Sequence, residues 1–397
     1  MDRGFCQERL ARLQGVLAAH VEAGGLPGAV ALISRGGETV VEAVGTQSFG
    51  GTAMRRDTIV RIASMSKPIT AVATLLLVEE CRLRLDDPVD PFLPELAQRR
   101  VLRSLEGPID ETVPARRPIT VRDLLTFTFG MGMIMAPPGK YPVQKALADA
   151  GLAPGPGQPE KTADEFMKRL GSVPLFHQPG ERWLYHTGSD VLGVLIARVT
   201  GQSFETFLHD RLFAPLGMRD TGFEVPAAEL DRLTSAYRKD PDKQALVFYD
   251  DASNSRWSRP PRFAAGGSGL VSTVDDYAAF YRMILNKGLH GNRRILARPT
   301  VELMTSDQLT PGQKQGTELF FGHGASWGMG GAVVTRRTDF FTTPGRFGWD
   351  GGYGTSAYLD PAEDTIGVLM TQCMMESPMP PKIFRDFWTT AYQAFDD

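Results

Sequence analysis

Apolar positions recur along the chain with two different periods. Between residues 8 and 23, Leu10, Leu13, Val16 and Leu17 fall on one face at helical spacing, which predicts an amphipathic N-terminal helix. Gly28 to Ile33 and Thr39 to Val44 are short apolar runs around Arg35-Gly36-Gly37, the pattern of a β-hairpin. Thr58 to Ile62 predicts another short strand. Ser64 follows it directly, and Pro68 opens a helix carrying Leu75, Leu76, Leu77 and Val78. Proline suits a first helical turn because its missing N–H would be unpaired there anyway.

The pattern changes from Asp86 to about Arg262, where short helical stretches are broken by Pro and Gly and strand signal is weak. Thr120-Val121-Arg122-Asp123 and Thr162-Ala163-Asp164-Glu165 fit capping boxes at helix starts. Ser189 to Val199 predicts a strong amphipathic helix ending before Gly201. The stretches 135–160 and 238–262 are rich in Pro, Gly and polar residues, and are either flaps over a cleft or plain long loops. Strand signal returns at Gly267 to Ser272, ahead of a helix beginning near Asp275. Residues 346–359 and Thr365 to Thr371 predict a strand pair joined by Asp360-Pro361-Ala362-Glu363-Asp364, and 382–395 a closing helix. Mixed structure at both ends predicts one α/β domain built from 1–85 and 263–397, with a helical domain, 86–262, inserted between them.

Composition narrows the functional classes. With 397 residues, 42% hydrophobic and 22% charged, the chain can bury a large core, and disorder or a fibrous architecture is excluded. The longest nearly unbroken apolar run, Ile69 to Val78, falls short of the roughly 18 residues that span a bilayer. No apolar stretch of a secretory signal follows Met1. A net charge of −3 gives no electrostatic footprint for nucleic acid or an anionic membrane, so neither is an expected partner. Cys6, Cys81 and Cys373 are odd in number and widely spaced. They form neither a disulfide framework nor a zinc site, and fit idle thiols in a reducing cytoplasm.

Two serine-hydrolase signals compete. Gly324-Ala325-Ser326-Trp327-Gly328 satisfies G-x-S-x-G, but a nucleophile elbow needs a helix after the serine and a histidine later in the chain. Here Gly328-Met329-Gly330-Gly331 follows the serine, and no histidine lies beyond His323. The motif is rejected; a glycine-rich bend packing Trp327 accounts for it. The second signal is Ser64-Met65-Ser66-Lys67. With 18 serines and 10 lysines, chance alone yields about half an S-x-x-K match, so position decides its weight. It follows a strand and sits at the mouth of an apolar helix. Three residues of helix bring Lys67 onto the face of Ser64. The helix N-terminus favours negative charge on the serine or a bound oxyanion, and the apolar surroundings lower the pKa of Lys67 toward that of a useful base.

With further motifs in order, the chain resembles the serine hydrolases of the class C β-lactamase and penicillin-binding-protein fold, most closely their family VIII carboxylesterase branch. The resemblance runs over nearly the whole length. Besides Ser64-x-x-Lys67 it rests on Pro118 to Thr126, Pro179-Gly180-Glu181-Arg182-Trp183-Leu184-Tyr185, Asp190-Val191-Leu192-Gly193, Pro215-Leu216-Gly217-Met218 and Gly267 to Thr273. It implies an α/β (α+β) fold, an antiparallel sheet flanked by helices with an inserted mainly helical domain. It further implies a catalytic set of Ser64, Lys67 and Tyr185, the tyrosine opening the family's Y-x-N motif as general base. A phenol titrates near 10, and the Lys67 ammonium is expected to lower it. Thr187 stands where the family has asparagine, which removes that amide's polar contact.

The family's Lys-Thr-Gly stretch corresponds to Trp349-Asp350-Gly351-Gly352. Esterases of the branch carry Trp-Gly-Gly there, so Trp349 fits and Asp350 fits neither version. The resemblance assigns the oxyanion hole to the N–H groups of Ser64 and Gly352, and substrate contact to Trp349, Asp350 and Gly351. Phe127 is an acyl-pocket candidate as well as a core candidate. His186 is expected near the site as the neighbour of Tyr185. The function implied is a serine esterase acting on short-chain carboxylic esters through an acyl-enzyme on Ser64, with a small-molecule ester as its partner and no metal or organic cofactor. Rivals are a β-lactamase or D,D-peptidase, an acyltransferase of the same fold, and a binding protein that has lost catalysis.

Overall fold

A computed structural model describes residues 4–157, 159–243 and 245–396. Seven strands form one antiparallel sheet: β1 (Gly28–Arg35), β2 (Glu38–Gly45), β3 (Ala325–Trp327), β4 (Ala332–Val334), β5 (Phe347–Gly351), β6 (Thr355–Asp360) and β7 (Thr365–Thr371). Their order across the sheet is β3-β4-β5-β6-β7-β1-β2. The two ends of the chain therefore meet within the sheet, where β7 pairs with β1 and Ala29 faces Thr371.

Five helices frame the sheet and the site: α1 (Gln7–Glu22), α2 (Ser66–Glu79), α3 (Thr187–Thr200), α4 (Val274–Leu285) and α5 (Lys382–Gln393). The period-2 geometry of β1 sorts its side chains onto two faces. Ala29, Ala31 and Ile33 pack with Leu13 and Leu17 of α1 and Phe384, Phe387 and Trp388 of α5. Val30 and Leu32 enter the opposite core with Ile69 and Val72 of α2 and Tyr277 and Phe280 of α4. Each buried Leu or Ile here contributes about 1.5–3 kcal/mol. The expected antiparallel sheet flanked by helices is the fold the chain adopts. No helix among the described residues is long and apolar enough to cross a membrane.

Several elements differ from the sequence reading. Residues 346–359 are not one strand of a pair but two, β5 and β6, turning at Gly352 to Gly354. The apolar signal runs through the turn, so periodicity alone merged them. The stretch 238–262 overlaps a two-stranded ladder, Ala236–Lys239 with Leu246–Asp250, and 135–160 contains a helix, Pro142–Asp149. Both set a few buried side chains, such as Tyr237 and Val143, among exposed ones, which weakens their hydrophobic pattern. The strand expected over Thr58 to Ile62 is reduced to Val60–Arg61, paired with Val271–Ser272. The helix after it begins at Ser66, not Pro68, and a single 3₁₀ turn, Ala63–Met65, comes first.

Candidate active site

That 3₁₀ turn holds Ser64 at the N-terminal end of α2, preceded by Ala63 at φ 43°, a conformation rarely used by residues with a side chain. Lys67, on the first turn of α2, is fully buried, and its Nζ lies 2.9 Å from Ser64 Oγ. The same nitrogen is 2.6 Å from the Gly267 carbonyl and 3.2 Å from His186 Nδ1. Burial pushes the Lys67 ammonium down to about 7, against the opposing pull of the Asp190 carboxylate. An amine titrating near neutrality has an unprotonated fraction at physiological pH that can act as a general base.

Tyr185 completes the group from the chain before α3. Its hydroxyl is in hydrogen-bonding contact with Ser64 and accepts the Trp349 Nε1–H at 2.6 Å. Lys67 Nζ lies 4.6 Å from the centre of its ring. The expected lowering of the phenol does not occur. Burial holds Tyr185 well above its ordinary value, with Asp350 and Asp190 adding to the effect against the hydrogen bonds from Ser64 and Trp349. The phenol thus stays protonated, and Lys67 is the group poised near neutrality. The reversal has a packing cause. Phe127, Trp183, Phe320, Trp327 and Trp349 pack around the ring and displace the water a phenolate needs.

Ser64, Tyr185, Trp349, Asp350 and Gly352 line one cavity of about 510 Å³. Met133, Ile134, Met135, Phe320, Met374 and Met375 give its outer part an apolar wall, and residues 133–136 and 155–156 bring the Pro/Gly-rich stretch to its edge. The Asp350 carboxyl is pushed up to about 6 by burial, although it accepts a hydrogen bond from Ser356 Oγ at 2.6 Å and Arg346 lies near. Two expected substrate contacts are corrected. Phe127 is fully buried, stacked on Trp327 with centroids 4.9 Å apart, and does not line the cavity. Its backbone sits at φ 59°, which turns the ring inward beneath Tyr185. Gly351 is absent from the lining too. A Cβ there would meet the Ile62 carbonyl oxygen at 2.3 Å, so this glycine lets β5 approach the serine turn instead of touching substrate.

The rejected motif is accounted for by packing. Ser326 lies on β3 with its hydroxyl donated to Asp307, outside the cavity lining. The glycine-rich bend after it packs Gly330 so tightly on α2 that a Cβ would meet the Lys67 carbonyl oxygen at 2.8 Å. Thr187 lines a second, smaller cavity together with His186 and Asp190 instead of bonding Lys67. The polar contact of the family's asparagine is supplied one residue earlier, by His186. Asp190, whose Oδ2 lies 3.2 Å from His186 Nε2, is the residue that sequence reasoning missed. Its acidic side chain in the first turn of a helix is sufficiently explained by the helix dipole, so only its spacing of four from His186 carried a signal.

Known proteins share this family and fold. The family model described as Beta-lactamase matches residues 13–384. An uncharacterized protein of Mycobacterium tuberculosis is 36% identical over 88% of this chain and 87% of its own length. Esterase EstB of Burkholderia gladioli is 30% identical over 94% of this chain and 92% of its own. Among solved structures, EstCE1, described as a hydrolase with promiscuous acyltransferase activity, superposes with a TM-score of 0.80 at 26% identity, covering 97% of this chain and 99% of that one.

Proposed function

From a chain that belongs to the beta-lactamase family and is a serine hydrolase of that fold, we propose a carboxylesterase of the family VIII type, hydrolysing short-chain carboxylic esters through an acyl-enzyme on Ser64. One observation carries the reading: a buried lysine amine near neutrality, 2.9 Å from a serine hydroxyl at the floor of an apolar cavity.

In the first half-reaction Ser64 Oγ attacks the ester carbonyl carbon and its proton passes to Lys67 Nζ. The carbonyl oxygen takes the negative charge and is held by the backbone N–H groups of Ser64 and Gly352, where losing one donor would cost on the order of 100- to 1000-fold. Tyr185 already receives the Trp349 N–H, so its own proton is free to be handed to the departing alcohol oxygen. The Lys67 ammonium then restores the tyrosine proton. Water enters where the alcohol left and attacks the acyl carbon. Its proton passes through Tyr185 to Lys67, which hands one to Ser64 Oγ as the acyl–oxygen bond breaks, so the acid leaves with Ser64 and Lys67 restored.

An acyltransferase reading, with an alcohol in place of that water, draws support from the apolar outer wall of the cavity, which has room for an organic acceptor. The test is labelling of the purified protein with a fluorophosphonate, followed by peptide mapping and a screen of p-nitrophenyl esters with and without an added alcohol. Modification confined to Ser64 with turnover of the butyrate ester is expected. An unlabelled Ser64 overturns the proposal.

A further inference from the structure

Lys67 Nζ has three polar neighbours: Ser64 Oγ, the Gly267 carbonyl and His186 Nδ1. A neutral amine has two N–H bonds and one lone pair. The Gly267 oxygen can only accept, so it takes one N–H. Whether the lone pair faces Ser64 then depends on His186 Nδ1. If that nitrogen is unprotonated it takes the second N–H and leaves the lone pair to the serine. If it carries a proton, it donates to the lone pair and occupies it.

Asp190 decides between the two. Its Oδ1 accepts the Gly267 N–H at 2.8 Å, and its Oδ2 lies 3.2 Å from His186 Nε2. A carboxylate can only accept, so the imidazole proton belongs on Nε2 and Nδ1 is bare. His186 is 4% exposed and Asp190 6%. Burial, with Lys67 beside it, lowers the His186 pKa, which keeps the ring neutral. His186 is held at φ 90° and ψ −67°, the strained γ-turn region that residues with side chains seldom adopt. Such strain persists only where the surroundings over-determine the conformation, and it clusters at functional sites.

On this geometry, and resting on the Ser64–Lys67 reading above, we propose that His186 and Asp190 are a positioning pair that aims the Lys67 lone pair at Ser64. The groups facing Lys67 are His186 and Asp190 around the start of α3 and Tyr185 before it, with Asp350 of β5 beyond the phenol. Lys161 and Arg256 line the small cavity on the far side of the pair.

Asp190→Asn inverts the arrangement. The Gly267 N–H fixes the amide oxygen, so the amide NH₂ faces His186 Nε2. The imidazole proton moves to Nδ1 and points at Lys67. The expected result is a fall in kcat/KM for p-nitrophenyl butyrate of about 100-fold with little change in KM. Losing the nearby anion also moves the acid limb of the pH profile to lower pH, by about one unit. His186→Ala is expected to lose a similar factor, and His186→Asn, whose amide oxygen replaces Nδ1 as acceptor, to recover most of it. Thermal melts and fluorophosphonate labelling accompany each variant. Wild type that fails to label overturns the serine-hydrolase reading itself. Wild type that labels, with Asp190→Asn leaving both rate and pH midpoint unmoved, or with His186→Asn no better than His186→Ala, overturns the positioning pair alone.

Discussion

Replacing Trp349 by Phe removes one hydrogen-bond donor from the centre of the site and little else. The indole Nε1 donates to the Tyr185 hydroxyl at 2.6 Å, and both residues are more than nine-tenths buried. A phenyl ring still fills most of the space beside Tyr185 and Trp327, whose ring centres lie 5.5 and 4.8 Å away. A neutral buried hydrogen bond nets about 1 kcal/mol. While Tyr185 hands its proton to the departing alcohol, its oxygen gains negative charge, and bonds to a charged acceptor are roughly twice as strong. The variant loses about 1 kcal/mol in the ground state and about 2 kcal/mol in the transition state, so the barrier rises by about 1 kcal/mol, or roughly fivefold in kcat. The assay is kcat and KM with p-nitrophenyl butyrate at pH 8, for Trp349→Phe, Tyr185→Phe and the double variant, with thermal melts as the folding control. If the indole acts through the phenol, it contributes almost nothing once the hydroxyl is gone, and the double variant matches Tyr185→Phe. Fully additive losses, or an effect confined to KM, would refute the reasoning and make Trp349 a substrate contact only.

Ser64→Ala is expected to abolish ester hydrolysis and Ser326→Ala to retain it, since the second hydroxyl bonds Asp307 outside the cavity; kinetics on both folded variants check this. Protonation of Lys67 removes the base, so kcat/KM is expected to rise with pH through a midpoint near 7, where burial places that amine, and to fall about tenfold per unit below it. A midpoint near the ordinary lysine value would refute the assignment. The Asp350 carboxyl, pushed up to about 6, is mostly ionised at pH 7.5 and mostly neutral at pH 5. Asp350→Asn is accordingly expected to raise nitrocefin turnover relative to the butyrate ester several-fold at pH 7.5 and hardly at all at pH 5, read as the ratio of the two kcat/KM values. An equal gain at both pH values would exclude charge repulsion as the cause.

Those parts of the site that depend on neighbours in sequence were legible. Strand, serine, lysine and apolar helix follow one another within twenty residues, and the lysine's lowered pKa follows from the apolar helix around it. The β1–β2 hairpin and α5 were legible for the same reason, since periodicity is a local property. What escaped depends on contacts across the chain. The direction of the Tyr185 shift could not be read from an adjacent charge, because Trp183, Trp327 and Trp349 come from three separate segments to dry its surroundings. Phe127 looked the same as a pocket residue or a core residue until its positive φ turned it inward. Asp350 read as a plain anion, whereas burial at its place on β5 pushes its carboxyl toward 6.

Backbone strain connects these observations. Ala63, Phe127 and His186 are three of the seven non-glycine residues with positive φ among the described residues. Each borders a reacting group: Ala63 precedes Ser64, Phe127 packs edge-on to Tyr185, and His186 joins Tyr185 to α3. Glycine would adopt these conformations without strain, so the side chains must contribute more than the strain they cost, about 1–3 kcal/mol each. For Phe127 the return is the aromatic packing that keeps the phenol protonated. For Ala63 it is a methyl buried in an apolar cluster with Ile59, Val271 and Tyr353, which anchors the serine turn. At His186 the ring packs edge-on to Tyr185, with centroids 5.9 Å apart, and makes polar contacts to Lys67 and Asp190. Packing accounts for the first two residues, whereas the third is distinguished by its polar contacts to Lys67 and Asp190.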